Sequence, residues 1–151
     1  MEKLVCHVYT DGACRGNPGI GGWGALIIEG DKQTRIKGYD ILTTNNRMEL
    51  TAVIKSLEIL ESDKEITLFT DSKYVQNGIT LWIANWKRNS WRTSSKKAVK
   101  NIDLWKTLDR LSGERPICWE WVKGHSGNEG NEIADLLANL AIDEYLAEYA
   151  S

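Results

Sequence analysis

The sequence predicts a mixed α/β domain, and three observations carry that prediction. Strand-like and helix-like segments follow in the order β-β-β-α-β-α-α-β-α. The first strand ends "VYTDG" and the fourth ends "LFTDS", both apolar runs closing in aromatic-Thr-Asp. The helical segment between them fits a β-α-β crossover, which sets the two strands parallel and makes them candidates for neighbours. The expected architecture is a five-stranded mixed sheet flanked by helices, hairpin-rich at its start and extended by parallel strands, in a single domain over residues 1–151.

Each element has its own reason. Leu4 to Thr10 is β-prone and is expected to end at Asp11, before a Gly-rich turn, "GACRGNPGIGG". "WGALIIEG" and "TRIKGYDIL" read as two strands around a turn near Gly30 and Asp31. In "TTNNRMELTAVIKSLEILES", Glu49, Val53, Leu57 and Leu60 share one helical face. "EITLFTD" is a strand, and "SKYVQNGITLWIANWKRN" one or two short helices. "NIDLWKTLDRLSG" is helical, with Ile102, Trp105, Leu108 and Leu111 in register and Gly113 as a stop. "PICWEWV" is the last strand. The closing helix, "NEGNEIADLLANLAIDEYLAEY", is expected to turn Ile133, Leu136, Leu137 and Leu140 inward.

Composition excludes several classes. With 42% hydrophobic and 26% charged residues the chain is neither globally disordered nor a membrane span. The start, "MEKLVCHVYT", has no signal-peptide pattern. Cys6, Cys14 and Cys118 show no CxxC spacing, and the odd count points to reduced thiols in a cytoplasmic protein. Cys6 and Cys118 are expected to be small buried hydrophobes.

Four acids stand where packing alone would not put them. Side-by-side parallel strands would bring Asp11 and Asp71 together at the carboxyl edge of the sheet, where open α/β sheets bind ligands. Glu49 occupies an apolar stripe, and Asp135 flanks the inward face of the closing helix. Each has an ordinary alternative: Glu49 a helix-dipole partner, Asp71 an N-cap, Asp135 a solvated side chain. Together they point to a hard divalent cation, because adjacent carboxylates repel unless a proton or cation holds them. His125, in the Gly-flanked "VKGHSGNEGNE", can reach the same edge and titrates near neutrality, whereas His7 alternates within a strand and is read as structural.

Residues 81–100, "LWIANWKRNSWRTSSKKAVK", hold six Lys or Arg, three Trp and no acid, in a chain of net charge −2. Such a segment suits a phosphate backbone. Trp82 and Trp86 are spaced to share a helix face; with Trp105 they serve packing first, and Trp91, among polar neighbours, is the better contact candidate.

Four segments carry a resemblance: "YTDGACRGNPGIGGWG", "TTNNRMEL", "TDSKYVQNGITLWIANWK" and "WVKGHSGNEGNEIADLLA". In this order and over essentially the whole chain they resemble bacterial-type ribonuclease H type 1. The resemblance implies a ribonuclease-H-like fold with a basic helical protrusion at about residues 81–101. It implies an endoribonuclease that hydrolyses the RNA strand of RNA–DNA hybrids by two-metal-ion catalysis, leaving 3′-hydroxyl and 5′-phosphate ends. Asp11, Glu49, Asp71 and Asp135 would be the metal-binding catalytic acids, for Mg²⁺ with Mn²⁺ as a substitute, and His125 a mobile auxiliary residue. Cys14, Asn17 and Asn45 would contact the RNA-side minor groove. Thr44 and Asn101 would grip a DNA-strand phosphate beside Leu42, where some relatives carry Arg. Lys73 stands where bacterial relatives commonly have Gln and would add a phosphate contact. Lys87, Arg88, Arg92, Lys96, Lys97 and Lys100 would contact or steer phosphates, Trp82 and Trp86 would meet deoxyriboses, and Trp91 would be a further contact. The expected partner is the hybrid, with no membrane, for a monomer. The rival reading is a catalytically inactive hybrid-binding module.

Overall fold

The computed structural model describes residues 5–123 and 128–149. Strands β1 (Val5–Gly16), β2 (Gly19–Glu29) and β3 (Lys32–Thr43) form an antiparallel meander. β4 (Glu65–Thr70) adds parallel to β1, and β5 (Ile117–Trp121) parallel to β4, giving the order β3-β2-β1-β4-β5. This is the mixed five-stranded sheet the sequence predicts. Tyr9 faces Phe69 in the β1–β4 register, so two residues further along Asp11 and Asp71 come level.

β1 does not stop at Asp11. It runs to Gly16, and Asp11, Gly12 and Ala13 pair with Gly24, Trp23 and Gly22 of β2. The glycine-rich segment is thus mostly a hairpin, with only Asn17 and Pro18 at its tip. The sequence was ambiguous here because glycine marks turns as well as strands approached closely by another backbone.

The helices are α1 (Asn45–Ile59), α2 (Lys73–Asn77), a π-helical turn (Gly78–Trp82), α3 (Ile83–Arg88), α4 (Ile102–Gly113) and α5 (Glu129–Tyr149). α2, the π turn and α3 form one continuous helical run, since the linking residues Asn77, Gly78, Trp82 and Ile83 are all right-handed helical. α1 packs on one sheet face with α4 against it, and Val53, Leu57, Trp105 and Leu108 are fully buried with Val8 and Leu68. α5 crosses the opposite face, over β1, β2 and β3.

α5 corrects one expectation. Leu136 and Leu140 are exposed, and the sheet-facing residues are Ala134, Leu137, Ala138, Ala141 and Ile142. A Cβ on Gly22 or Gly24 would collide with the backbone of α5 at Ala138 or Ala134. Small residues on both sides let helix and sheet approach too closely for a leucine layer, so the apolar stripe rotates toward alanine. Cys6 is fully buried as expected, but Cys118 lies on an exposed face of the edge strand β5.

Candidate active site

The site is built where β1, β4, α1 and α5 converge. Asp11 comes from within β1, Asp71 from just past β4, and Glu49 from the second turn of α1. One carboxylate oxygen from each of these three lies within 4.8 Å of the others. Asp135, on α5, lines the same open cavity of about 520 Å³, together with Cys14, Asn45 and Lys73. Its Oδ1 accepts from Asn139 Nδ2 at 3.4 Å.

Gly12 is the residue the sequence reading passed over. Its backbone N–H donates to Asp11 Oδ1 (2.9 Å) and to Glu49 Oε1 (3.0 Å). It does so because α1 rests directly on it: a Cβ at Gly12 would collide with the backbone of Met48 and Glu49. A glycine between the strand that carries Asp11 and an acid-bearing helix is the signal that could have found it. The alternative roles for the acids are also resolved in part. Ser72, not Asp71, caps α2, its Oγ accepting from Val75 N at 3.1 Å. Glu49 is 5% exposed, too buried to act merely as a solvated helix-dipole partner.

Burial dominates the electrostatics. It pushes the Asp11 carboxyl up from 3.8 to about 7, helped by Asp71 and Asp135 and opposed by the bond with Glu49. Burial, then the charge of Asp11, raises Glu49 well above its usual range. The two titrate as a pair. Glu49 Oε2 is moreover buried without a hydrogen-bond partner. Buried like charges with an orphaned oxygen are what a cation would satisfy: oxygen donors only, clustered, and open to solvent on one side. The residues present therefore fit a divalent metal ion.

Around this centre the other expected residues divide. Asn17 Oδ1 accepts from Asn45 N (3.1 Å), tying the hairpin tip to the start of α1. Cys14 Sγ faces the carbonyl of Gly16 at 2.7 Å. Thr44 is the N-cap of α1, its Oγ1 accepting from Arg47 N. Asn101, left-handed at φ 59°, accepts from Arg47 Nη1 (3.1 Å) and donates to Tyr74 OH (3.0 Å). Arg47, also unforeseen, clamps Asp103 with both nitrogens, at 3.0 and 2.8 Å. Trp105 Nε1 donates to the same Tyr74 hydroxyl (3.0 Å). His125 lies outside the described residues.

The basic segment forms α3 and the loop after it. Trp82 and Trp86 pack on each other (5.7 Å between centroids) and on Trp105. Trp91 also joins this cluster, 6.2 Å from Trp86 and with Lys106 Nζ over its ring at 5.6 Å, so it is less isolated than its polar neighbours suggest. Trp82, Trp86, Tyr74 and Lys100 line a groove of about 460 Å³. Lys87 is paired with Asp109 at 3.4 Å, whereas among the described residues Arg88 bonds within its helix, to Asn85 Oδ1 (2.7 Å) and Ala84 O. Lys96 and Lys97 sit in a tight turn held by Thr93.

A mixed sheet of this order, with Asp11 and Asp71 level on parallel β1 and β4 and Glu49 of α1 beside them, is the ribonuclease-H-like fold carrying an oxygen-donor site. The chain belongs to the RNase H family, whose model matches residues 3–143. It is 60% identical over 143 residues to a ribonuclease H of Francisella philomiragia subsp. philomiragia, covering 95% of this chain and 94% of that protein. Among solved structures, LC9-RNase H1, a type 1 RNase H with the type 2 active-site motif, superposes with a TM-score of 0.84 at 29% identity, over 95% of this chain and 74% of that one. LC11-RNase H1 in complex with an RNA/DNA hybrid matches with a TM-score of 0.70 at 26% identity, over 93% of this chain and 99% of that one. Among the described residues no helix is long and apolar enough to cross a membrane.

Proposed function

We propose that this chain is an endonuclease that hydrolyses the RNA strand of RNA–DNA hybrids, leaving 3′-hydroxyl and 5′-phosphate ends, as a single-domain cytoplasmic monomer. The observation that carries the reading is the convergence of Asp11, Glu49 and Asp71 within 4.8 Å at a site that buries the first two and half-buries the third. An inactive hybrid-binding module would have no use for mutually repelling, half-satisfied carboxylates beside its ligand. Family membership and the hybrid-bound LC11-RNase H1 support the choice of substrate.

In this reading Asp11, Glu49, Asp71 and Asp135 hold divalent cations, Mg²⁺ or in its place Mn²⁺. When bound, those cations supply two-metal-ion chemistry, activation of the attacking water and stabilisation of the leaving oxygen. The protein's own part is positioning. The Gly12 N–H fixes one carboxylate oxygen each of Asp11 and Glu49 and so sets the two side chains relative to each other. Cys14, Asn17 and Asn45, joined by the Asn45–Asn17 bond, present the hairpin tip and the start of α1 to the RNA minor groove, where the 2′-hydroxyls distinguish RNA from DNA. Thr44 and Asn101 hold a DNA phosphate, with Arg47 orienting the Asn101 amide. The tryptophan groove receives deoxyriboses while Arg88, Lys96, Lys97 and Lys100 meet phosphates. His125 carries protons or aids product release.

The test is a substrate panel. Cleavage should fall on RNA in a hybrid and spare single-stranded RNA and duplex DNA, and 2′-O-methyl groups around the cut should block it. Equal cleavage of duplex DNA would overturn the reading.

A further inference from the structure

Tyr74 stands where two cavities meet. It lines the open acid cavity on one side and the tryptophan groove on the other. Its ring rests on Trp105 (5.2 Å between centroids) and on Trp82 (5.6 Å). Eight positions separate Tyr74 from Trp82, which would set them about 80° apart round an unbroken α-helix. The π turn between them winds more slowly and brings both rings to one side. A Cβ on Gly78 would collide with the Trp105 ring, so the helical run lies directly on that indole.

The bonding of the Tyr74 hydroxyl follows from which partners can only donate. Arg47 has no acceptor, so the Asn101 atom it meets at 3.1 Å is Oδ1, and Nδ2 is turned toward Tyr74. The Trp105 indole likewise only donates. The phenolic oxygen therefore accepts from both, at 3.0 Å each. One Nδ2 hydrogen of Asn101 is spent on that bond, and the other has no acceptor among the described residues. Asn101 stands at the N-cap of α4 but caps none of its N–H groups with its side chain. Its amide is committed across the fold instead, to Arg47 of α1 and Tyr74 of α2.

We propose that the Tyr74 hydroxyl is a positioning residue for the DNA strand: it fixes the Asn101 amide so that the second Nδ2 hydrogen is presented to a DNA phosphate. The proposal rests on the reading above, in which Thr44 and Asn101 hold that phosphate. Arg47 pins the amide at its oxygen and Tyr74 pins it at its nitrogen, so its plane is set from both ends before substrate arrives. A donor fixed in advance has less freedom to lose on binding. Through Trp105 the same hydroxyl ties the phosphate pocket to the wall of the tryptophan groove, so phosphate and sugar contacts share one support. A tyrosine that only packed would act through its ring, and its hydroxyl would not affect the phosphate. A hydroxyl that touched substrate directly would act without Asn101.

The experiment uses the full chain, its Tyr74→Phe and Asn101→Gly variants, and the double variant. Phe keeps the ring, and Gly accepts the left-handed backbone at φ 59°. Hybrid affinity is measured in EDTA by fluorescence anisotropy, with a plain DNA strand and with strands in which one phosphate at a time is an uncharged methylphosphonate. In the wild type, one DNA position should cost several-fold in affinity. Tyr74→Phe should bind the plain hybrid several-fold more weakly and lose most of its sensitivity to methylphosphonate at that position alone. Added to Asn101→Gly, it should weaken binding no further. Wild-type methylphosphonate sensitivity in Tyr74→Phe, or effects of the two substitutions that simply multiply, in proteins with native circular dichroism, would overturn the proposal. Wild-type cleavage is measured alongside. If the wild type cleaves RNA and responds to a DNA methylphosphonate while Tyr74→Phe behaves like it, this inference alone fails. If the wild type responds at no DNA position, the phosphate pocket fails and the inference with it; if it does not cleave, the nuclease reading fails.

Discussion

Gly12 and Glu49 are joined by one 3.0 Å hydrogen bond, from the backbone N–H of the central strand to a carboxylate on the helix lying across it. The bond exists because Gly12 has no side chain to lift α1 off the sheet. Gly12→Ala should therefore separate Glu49 from Asp11. The expected cost is ~1–3 kcal/mol of stability, typical of overpacking, together with a fall in kcat well beyond what that loss of stability explains. Wild-type Tm and kcat would show that α1 can move without consequence.

The raised carboxyls give a pH prediction. Folding lifts Asp11 from 3.8 to about 7 and Glu49 well above 4.5. A group whose pKa rises on folding contributes its stability below the unfolded value and loses it as pH climbs through the folded one. Without metal, the protein should therefore lose stability between about pH 4 and pH 7, on the order of a few kcal/mol. The loss should be smaller in Asp11→Asn, and Mg²⁺ should suppress it in the wild type. Parallel Tm–pH curves for the two proteins without metal would show that the carboxyls are compensated by some other group.

The basic segment should divide by pairing. Lys87 is already engaged with Asp109, while Arg88, Lys96 and Lys97 have no acidic partner among the described residues. Replacing those three with Ala should raise KM strongly, lower kcat less, and flatten the salt dependence of log KM by up to about 0.9 per lost phosphate contact. Lys87→Ala should change the slope less than any of the three. Unchanged KM and slope in the folded triple variant would mean the segment is only a solvated lobe.

His125 follows β5 in the chain and precedes α5, which carries Asp135. Its proposed work, proton transfer or product release, can partly be done by water. His125→Ala should lower kcat with a smaller change in KM. A loss as complete as that of an Asp71 variant would give it a different role.

Much of the site was legible because its signals are local. Repeated strand endings, together with the crossover between them, placed Asp11 beside Asp71, and Glu49 betrayed itself by interrupting a stripe otherwise made of Val53, Leu57 and Leu60. What could not be read depends on contacts between distant segments. Gly12 matters only because Met48 and Glu49 land on it. The inward face of α5 follows from glycines more than a hundred residues earlier, so helical periodicity misassigned Leu136 and Leu140. Arg47 gains meaning only once α4 brings Asn101 and Asp103 to it.

The most direct measurement is strand-resolved cleavage of a hybrid labelled separately on its RNA and DNA strands, across a Mg²⁺ titration, for the wild type and Asp71→Asn. The expected result is RNA-strand products alone, appearing with Mg²⁺, abolished by EDTA, and absent from Asp71→Asn at every Mg²⁺ concentration although the variant binds hybrid within about tenfold of wild type. Wild-type turnover by Asp71→Asn at saturating Mg²⁺, or RNA cleavage that persists in EDTA, would contradict a catalytic metal site built on these carboxylates.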